Sequence, residues 1–355
     1  MVFYEKKVGG GSRSAGALGA SAGVGSAVNG GQGPANTIAF GQQTNPYTVD
    51  GHLWTLDLGA TLFLEATEGP HIQDKAGVLR SARYMLEISL TLEKPMKIAT
   101  WNINGVKARI DTALAWLEKS QPDIACFQEI KSVDEAFPSA PFENLGYTVA
   151  LHGQKSFNGV AILSKFPVDE VHRGLPGDES DEQVRYLEAV ISTPGGAIRV
   201  ASIYLPNGNP TDSDKFPYKL AFMDRLKAHA QSLLELEEAV VFAGDYNIIP
   251  TADDAYNVEI WEGDALYRPE SRSRFHALLN LGLTDSLRAC SDEVGLYTFW
   301  DYQAGAWQKN NGIRIDHLLL SPQAADRLQS CEIDRFTRGW EKPSDHVPVW
   351  IELAE

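Results

Sequence analysis

The chain has 355 residues, 43% of them hydrophobic and 22% charged, with a formal net charge of −16 at pH 7. This composition belongs to a globular protein with a substantial core, and the length suits one large domain with an appendage. No apolar run reaches the roughly eighteen residues of a membrane-spanning helix, and the acidic total disfavours a protein that coats nucleic acid by charge alone. The three cysteines, Cys126, Cys290 and Cys331, are too scattered for a disulfide framework or a structural zinc site and fit a reducing cytoplasm.

Residues 1–95 read as an N-terminal extension. The stretch 9–33, "GGGSRSAGALGASAGVGSAVNGGQG", is almost wholly Gly, Ala, Ser and Val, cannot bury enough apolar area to offset its chain entropy, and is predicted to be disordered. Lys6 and Lys7 precede it, but its small residues are too weakly apolar for the central region of a signal peptide. Residues 50–93 carry some alternation ("HLWTLDLGATLFLEAT") and are read as a candidate hairpin. Met96 opens a strongly patterned region, 96–355, and is the expected native start.

From Met96 onward short apolar runs end in polar clusters: "KIATWN", "DIACFQE", "GVAILS", "RVASIYLPNG", "AVVFAGDYN", "RIDHLLLS" and "HVPVWIEL". Between them, "KARIDTALAWLEKSQ" and "PYKLAFMDRLKAHAQSLLELE" place apolar residues at helical spacing. Strands mixed with helices predict a layered α/β domain, with loops converging where the polar clusters lie.

In chain order these strand ends supply Asn102 and Asn104, Glu129, Tyr204 and Asn207, Asp245 and Asn247, Asp316, and finally Asp345 and His346. Carboxylates and amides without paired Cys or His suit Mg²⁺ or Mn²⁺ better than Zn²⁺. Gathering Glu129, Asp245 and Asp345 raises at least one pKa by like-charge repulsion unless a cation joins them. Nucleophile elbow, P-loop and dinucleotide fingerprint are all missing from the sequence, which leaves metal-assisted phosphoester hydrolysis. Taken singly, each residue has a plain structural explanation: Asn104-Gly105 as a turn, Tyr204 and Trp300 as core aromatics, Asp345-His346 as a turn pair. His152, His172, His229 and His276 fall in no metal spacing, and His317 is expected to face away from Asp316 on its strand.

The segments "MKIATWNINGVKAR", "PDIACFQEIK", "HGQKSFNGVAILSK", "GDYNIIP", "YTFWDY", "RIDHLLLS" and "EKPSDHVPVW" together resemble the exonuclease III family of apurinic/apyrimidinic (AP) endonucleases, within the endonuclease/exonuclease/phosphatase superfamily. The resemblance covers 96–355. It implies a four-layer α/β/β/α sandwich, Mg²⁺-dependent incision of double-stranded DNA 5′ to abasic sites, 3′→5′ exonuclease and 3′-end processing, and a monomeric cytoplasmic enzyme. Carried over by position, it implies a cation at Glu129, supported by Asn102, Asn104 and Asp345, with Asp245, Asn247 and His346 also facing the metal. Asp245 activates or positions the attacking water, Asn247 bonds the phosphate, Tyr204 stands near the scissile phosphate, and Asp316 orients His346. Whether Asp245 or His346 is the base stays open. Asn207, Arg185, Lys131 and Trp300 are the implied substrate contacts, Trp300 against the abasic sugar, and Lys107, Arg109, Lys155 and Arg314 are further candidates for phosphate contact. Asn104 and Asn207 stand where some relatives carry Asp and Gln. A different phosphoesterase of the superfamily and a non-catalytic DNA-binding relative are the alternative readings.

Overall fold

The computed structural model describes residues 47–49, 52–54 and 94–355. Strands β1 (Tyr47–Val49) and β2 (His52–Trp54) form an antiparallel pair by themselves. The stretch 9–33 and the rest of 50–93 lie outside the described residues.

The patterned region begins β3 (Met96–Asn102), α1 (Val106–Ser120), β4 (Ile124–Gln128), α2 (Ser139–Asn144), β5 (Thr148–His152) and β6 (Val160–Ser164). It continues β7 (Val168–Arg173), β8 (Tyr186–Thr193), β9 (Gly196–Tyr204), α3 (Lys215–Leu234), β10 (Val240–Asp245), α4 (Pro269–Leu279) and β11 (Thr284–Asp285). It closes α5 (Ser286–Cys290), α6 (Ala306–Lys309), β12 (Asp316–Leu320), α7 (Pro322–Ala325), β13 (Leu328–Ile333) and β14 (Val349–Leu353). Two six-stranded mixed sheets result, ordered β13-β14-β3-β4-β6-β5 and β11-β12-β10-β9-β8-β7.

Side-chain alternation along the strands explains the layering. On β10, Val241 and Ala243 point to the core between the sheets, while Val240 and Phe242 point outward to helices. On β3, Met96 and Ile98 face the same inter-sheet core and Ala99 and Trp101 face α1. Trp116 and Leu117 of α1 close over Trp101 and Phe127 on one side. Phe222 and Leu226 of α3, with Phe275 of α4, cover Phe242 and Ile203 on the other. Every fully buried aromatic of this kind contributes ~2–3 kcal/mol of transfer free energy. The architecture is the expected α/β/β/α sandwich.

Each sheet contains one parallel pair joined by a long helix: β3 with β4 through α1, and β9 with β10 through α3. A helical crossover returns the chain in the same direction, so both members of a parallel pair end on the same edge. The polar residues that terminate them are therefore delivered together.

Candidate active site

Register makes the first row of the site. Asp245, last on β10, pairs directly with Tyr204, last on β9, and with Asp316, first on β12. All three share the parity of the inward-facing apolar residues on their strands, so they continue the inter-sheet core as a polar rim. From the opposite sheet, Asn102 ends β3 beside Gln128 of β4, and Glu129 follows immediately.

These groups form one hydrogen-bonded web. Asn102 Nδ2 donates to Glu129 Oε1 at 3.1 Å and to Asp245 Oδ2 at 3.0 Å, joining the two sheets. Tyr204 Oη donates to Glu129 Oε1 at 2.6 Å, and Lys131 Nζ lies 2.8 Å from Glu129 Oε2 and 2.6 Å from Asn104 Oδ1. Asn104 Nδ2 donates to Asp345 Oδ1 at 3.0 Å. Asn104, Glu129, Lys131 and Asn247 all hold φ between 48° and 52°. Asn adopts this left-handed backbone readily, but it costs Glu129 and Lys131 roughly 1–2 kcal/mol each, and such residues gathered at one edge of the paired sheets point to a conformation held for what it presents.

Asp316 and His346 are paired. His346 Nδ1 lies 2.9 Å from Asp316 Oδ2 and 3.1 Å from Oδ1, and Thr298 Oγ1 donates to Asp316 Oδ2 at 2.6 Å. The other ring nitrogen, Nε2, stands 3.7 Å from Asp245 Oδ2. The loop carrying the imidazole is pinned by Trp101 Nε1 on the His346 carbonyl at 3.1 Å and by Ser344 Oγ on the Asn102 carbonyl at 2.7 Å. Asp345 and His346, neighbours in sequence, thus serve different partners.

The charges follow from these contacts. Burial raises Asp245 to about 7; His346 opposes that shift and Asp316 adds to it. Burial alone would lower His346, but Asp316 and Asp245 outweigh it and raise the imidazole to about 10. Burial also pushes Glu129 up, yet the Lys131 ammonium and the bonds from Tyr204 and Asn102 hold it below the ordinary carboxylate value. Burial, Glu129 and Asp245 keep the Tyr204 phenol well above its usual range, so it remains a donor.

A hard divalent cation takes oxygen ligands. Glu129 and Asp345 offer carboxylates, and positive charge is already drawn to Glu129 in the form of the Lys131 ammonium, so the donor chemistry fits such an ion. Asp245, Asp316 and His346 also have ligand atoms within 4.8 Å of one another. The Asp316 carboxylate is occupied by His346 Nδ1 and by Thr298, so the ring nitrogen of His346 left to meet an ion or a phosphate is Nε2, 3.7 Å from Asp245 Oδ2. Asn102 and Asn104 turn nitrogens toward the carboxylates; the Asn102 oxygen accepts from the Asn104 amide at 3.0 Å.

Among the expected substrate contacts, Asn207 Nδ2 donates to Asn247 Oδ1 at 3.0 Å, and the Arg185 guanidinium lies over the Tyr204 ring at 4.7 Å. Lys107 and Lys155 are exposed. Two expectations need correction. Trp300 is 0% exposed, packed with Tyr297, Ala306 and Val347, so it cannot meet a sugar. Its neighbour Phe299, on the other face of the segment, packs its ring 4.9 Å from that of His346. Arg314 is buried against Asp254 and Asp285 at 2.7 and 2.9 Å and is not available to a phosphate. His317 lies opposite Asp316, against Tyr246 and Phe275. A cavity of about 630 Å³ beneath the 174–185 loop, lined by His152, His172, Asp181 and Tyr186 among others, shares none of the site's side chains.

Three features escaped sequence reading. Thr298 has only its place in the segment "YTFWDY", two residues before Trp300, to signal it. Tyr302 is half exposed, its hydroxyl receiving Arg109 Nη2 at 3.1 Å and donating to the Pro343 carbonyl at 2.9 Å. Lys219 is a lone charge in the apolar stripe of α3.

Comparison with known proteins agrees with this geometry. A model of the endonuclease/exonuclease/phosphatase family matches residues 99–346. The chain is 37% identical over 266 residues to exodeoxyribonuclease III of Haemophilus influenzae, covering 73% of this chain and 100% of that one. It is 30% identical over 265 residues to DNA repair nuclease APEX1 of Danio rerio, covering 73% and 82%. Among solved structures it is similar to the 3′ phosphatase NExo from Neisseria bound to product DNA hairpin, with 38% identity, a TM-score of 0.70 and coverage of 73% and 99%. An AP endonuclease from Archaeoglobus fulgidus is similar at 34% identity and a TM-score of 0.69, covering 73% and 100%.

Proposed function

The chain belongs to the endonuclease/exonuclease/phosphatase family, and on that premise we propose that it is a DNA-repair nuclease of the exonuclease III type, hydrolysing the phosphodiester 5′ to an abasic site and processing 3′ ends with Mg²⁺. The observation that carries the reading is the convergence of the Asp316–His346 pair, Asp245 and the Glu129 web on one edge of the paired sheets.

Asp245 is the base. Burial lifts the Asp245 carboxyl above the ordinary carboxylate range, toward what a base needs at neutral pH, whereas His346 Nδ1 is already engaged by Asp316. His346 instead donates from Nε2 to a phosphoryl oxygen as charge develops there, while Asp316 fixes Nδ1 and balances the imidazolium. Asn247 bonds the Leu205 carbonyl through Nδ2 at 3.0 Å, which leaves one of its two amide hydrogens for a phosphate oxygen. Asn207 is in the same position, with one hydrogen spent on Asn247. Arg185 and Tyr204 border the phosphate on the other side. A divalent cation at Glu129 and Asp345 would supply Lewis-acid polarisation of the phosphoryl oxygen and charge stabilisation of the leaving 3′ oxygen. Extrusion of the sugar costs least where no base is stacked, and Phe299 beside His346 is an apolar surface for it.

The test is a labelled duplex with a single abasic analogue, incubated with Mg²⁺ or with EDTA, beside an undamaged duplex and an inositol phosphate. Mg²⁺-dependent cleavage confined to the abasic position supports the proposal. Phosphate release from the inositol substrate with intact DNA places the chain in another branch of the family.

A further inference from the structure

Helix α3 buries Phe216, Lys219, Phe222, Met223, Leu226, Ala230 and Leu233, an i, i+3, i+4, i+7 stripe in which one member is charged. Lys219 is 0% exposed. Taking an ammonium out of water is costly unless polar partners replace its hydration, and a Met or Leu would fill the stripe without that cost. Its partners are specific. Lys219 Nζ donates to the Asn247 carbonyl at 2.6 Å and to the Asn207 carbonyl at 3.0 Å, the backbone of the two residues whose side-chain amides are assigned to the phosphate. Those residues lie in the loops that follow β9 and β10 and touch again through Asn207 Nδ2 and Asn247 Oδ1 at 3.0 Å. Asp245 Oδ1 accepts the Asn247 amide at 2.9 Å. The peptide before Asn247 is thus fixed by the base and the peptide after it by Lys219, with left-handed Asn247, φ 48°, between them. The turn is shaped to admit this grip: at Gly208, φ +89°, a Cβ would come within 2.7 Å of Lys219 Cδ.

We propose that Lys219 is a positioning residue for phosphodiester hydrolysis: by clamping the Asn207 and Asn247 carbonyls from beneath, it aims both side-chain amides at the scissile phosphate. This rests on the proposed function, and two readouts separate its failure from that reading's.

The first needs no activity. In Lys219→Met, hydrogen–deuterium exchange of peptides spanning 205–210 and 245–250 is expected to rise about tenfold or more, with α3 and the sheet unchanged. The second is a double-mutant cycle on the abasic duplex. Lys219→Met is expected to lower kcat roughly 100-fold with KM changed less than about threefold, and to cost less than about fivefold more once Asn247 is already alanine. Lys219→Arg keeps the charge and the donors; it is expected to recover a measurable part of kcat and serves as the second variant if the methionine form does not fold. Unchanged local exchange, or losses that multiply fully in the double variant, would overturn the proposal. A wild-type protein that leaves the abasic duplex uncut refutes the nuclease reading, while the exchange result still decides whether Lys219 clamps the two loops.

Discussion

Replacing Asp316 by Asn removes one charge and nearly no volume, so it isolates what the carboxylate does for His346. In the native site both Asp316 oxygens accept: His346 Nδ1 lies 2.9 and 3.1 Å from them, and Oδ2 also takes the Thr298 hydroxyl at 2.6 Å. Thr298 has no choice of role, because its oxygen already accepts the Ile315 and Asp316 amides at 3.1 and 3.2 Å. An Asn amide must therefore give its oxygen to Thr298 and turn its NH₂ toward Nδ1. His346 then becomes an acceptor at Nδ1 and loses its counter-charge, and burial favours the neutral ring. A hydrogen bond to a charged group is worth about 1.5–3 kcal/mol, and the transition state also loses a cationic donor, so about 2–4 kcal/mol is expected in the barrier. That is roughly a 30- to 1,000-fold fall in kcat. His346 is raised to about 10 by Asp316 and Asp245; without Asp316 the alkaline limb of the rate profile moves to lower pH. Single-turnover cleavage of a fluorescent abasic duplex across that limb reads both effects. Thr298→Val, which removes one neutral donor to the carboxylate, is expected to cost about three- to tenfold. A rate within about threefold of wild type in Asp316→Asn, with the alkaline limb unmoved, would refute the assigned roles.

Glu129→Gln is expected to raise the Mg²⁺ concentration for half-maximal rate by about tenfold or more, because a neutral amide replaces a charged oxygen ligand of the proposed cation site; a metal titration of the incision rate checks it. Trp300→Ala should lower unfolding free energy in urea by about 3–5 kcal/mol, whereas Phe299→Ala should chiefly raise KM for the abasic duplex. Glu188, 2% exposed, accepts from Tyr186, His229 and Arg199 at 2.5, 2.8 and 2.8 Å. Burial pushes it up, but these partners hold it at about 2. Its folded pKa is depressed, so its stabilisation is present above the ordinary Glu value and is lost as pH falls toward 2. The shift corresponds to about 3 kcal/mol, of which about 2 is lost between pH 7 and pH 3. Urea unfolding at the two pH values should show that extra loss in wild type and not in Glu188→Gln.

The strands that carry the site were legible because each is a buried apolar run cut off by a polar residue. β10 and β12 are buried at every position, a pattern that only a strand covered on both faces requires. β7 was not legible. It lies on a sheet edge with its charged residues exposed, and its only apolar signals, Val168 and Val171, are too few to mark a period. The Asp316–His346 pairing required distant residues to meet, which came from the family resemblance and not from local pattern. Phe299 and Trp300 show the limit of that route. Two adjacent aromatics on an extended segment face opposite ways, and sequence does not say which faces the solvent edge. Here the larger ring takes the core, with Nε1 on Asn310 Oδ1 at 3.2 Å. Lys219 was hidden for a related reason: a single charge in an apolar stripe looks like a solvated side chain until the carbonyls it grips are seen.

Hydrolysis of the abasic duplex in ¹⁸O-labelled water, with Mg²⁺, tests the central claim most directly. One ¹⁸O atom on the 5′-phosphate of the abasic fragment, a 3′-hydroxyl extendable by a polymerase, and loss of both in Asp245→Asn with DNA binding kept, are the expected results. Cleavage that leaves an unsaturated sugar with no label on phosphorus, or full activity in Asp245→Asn, would contradict the account.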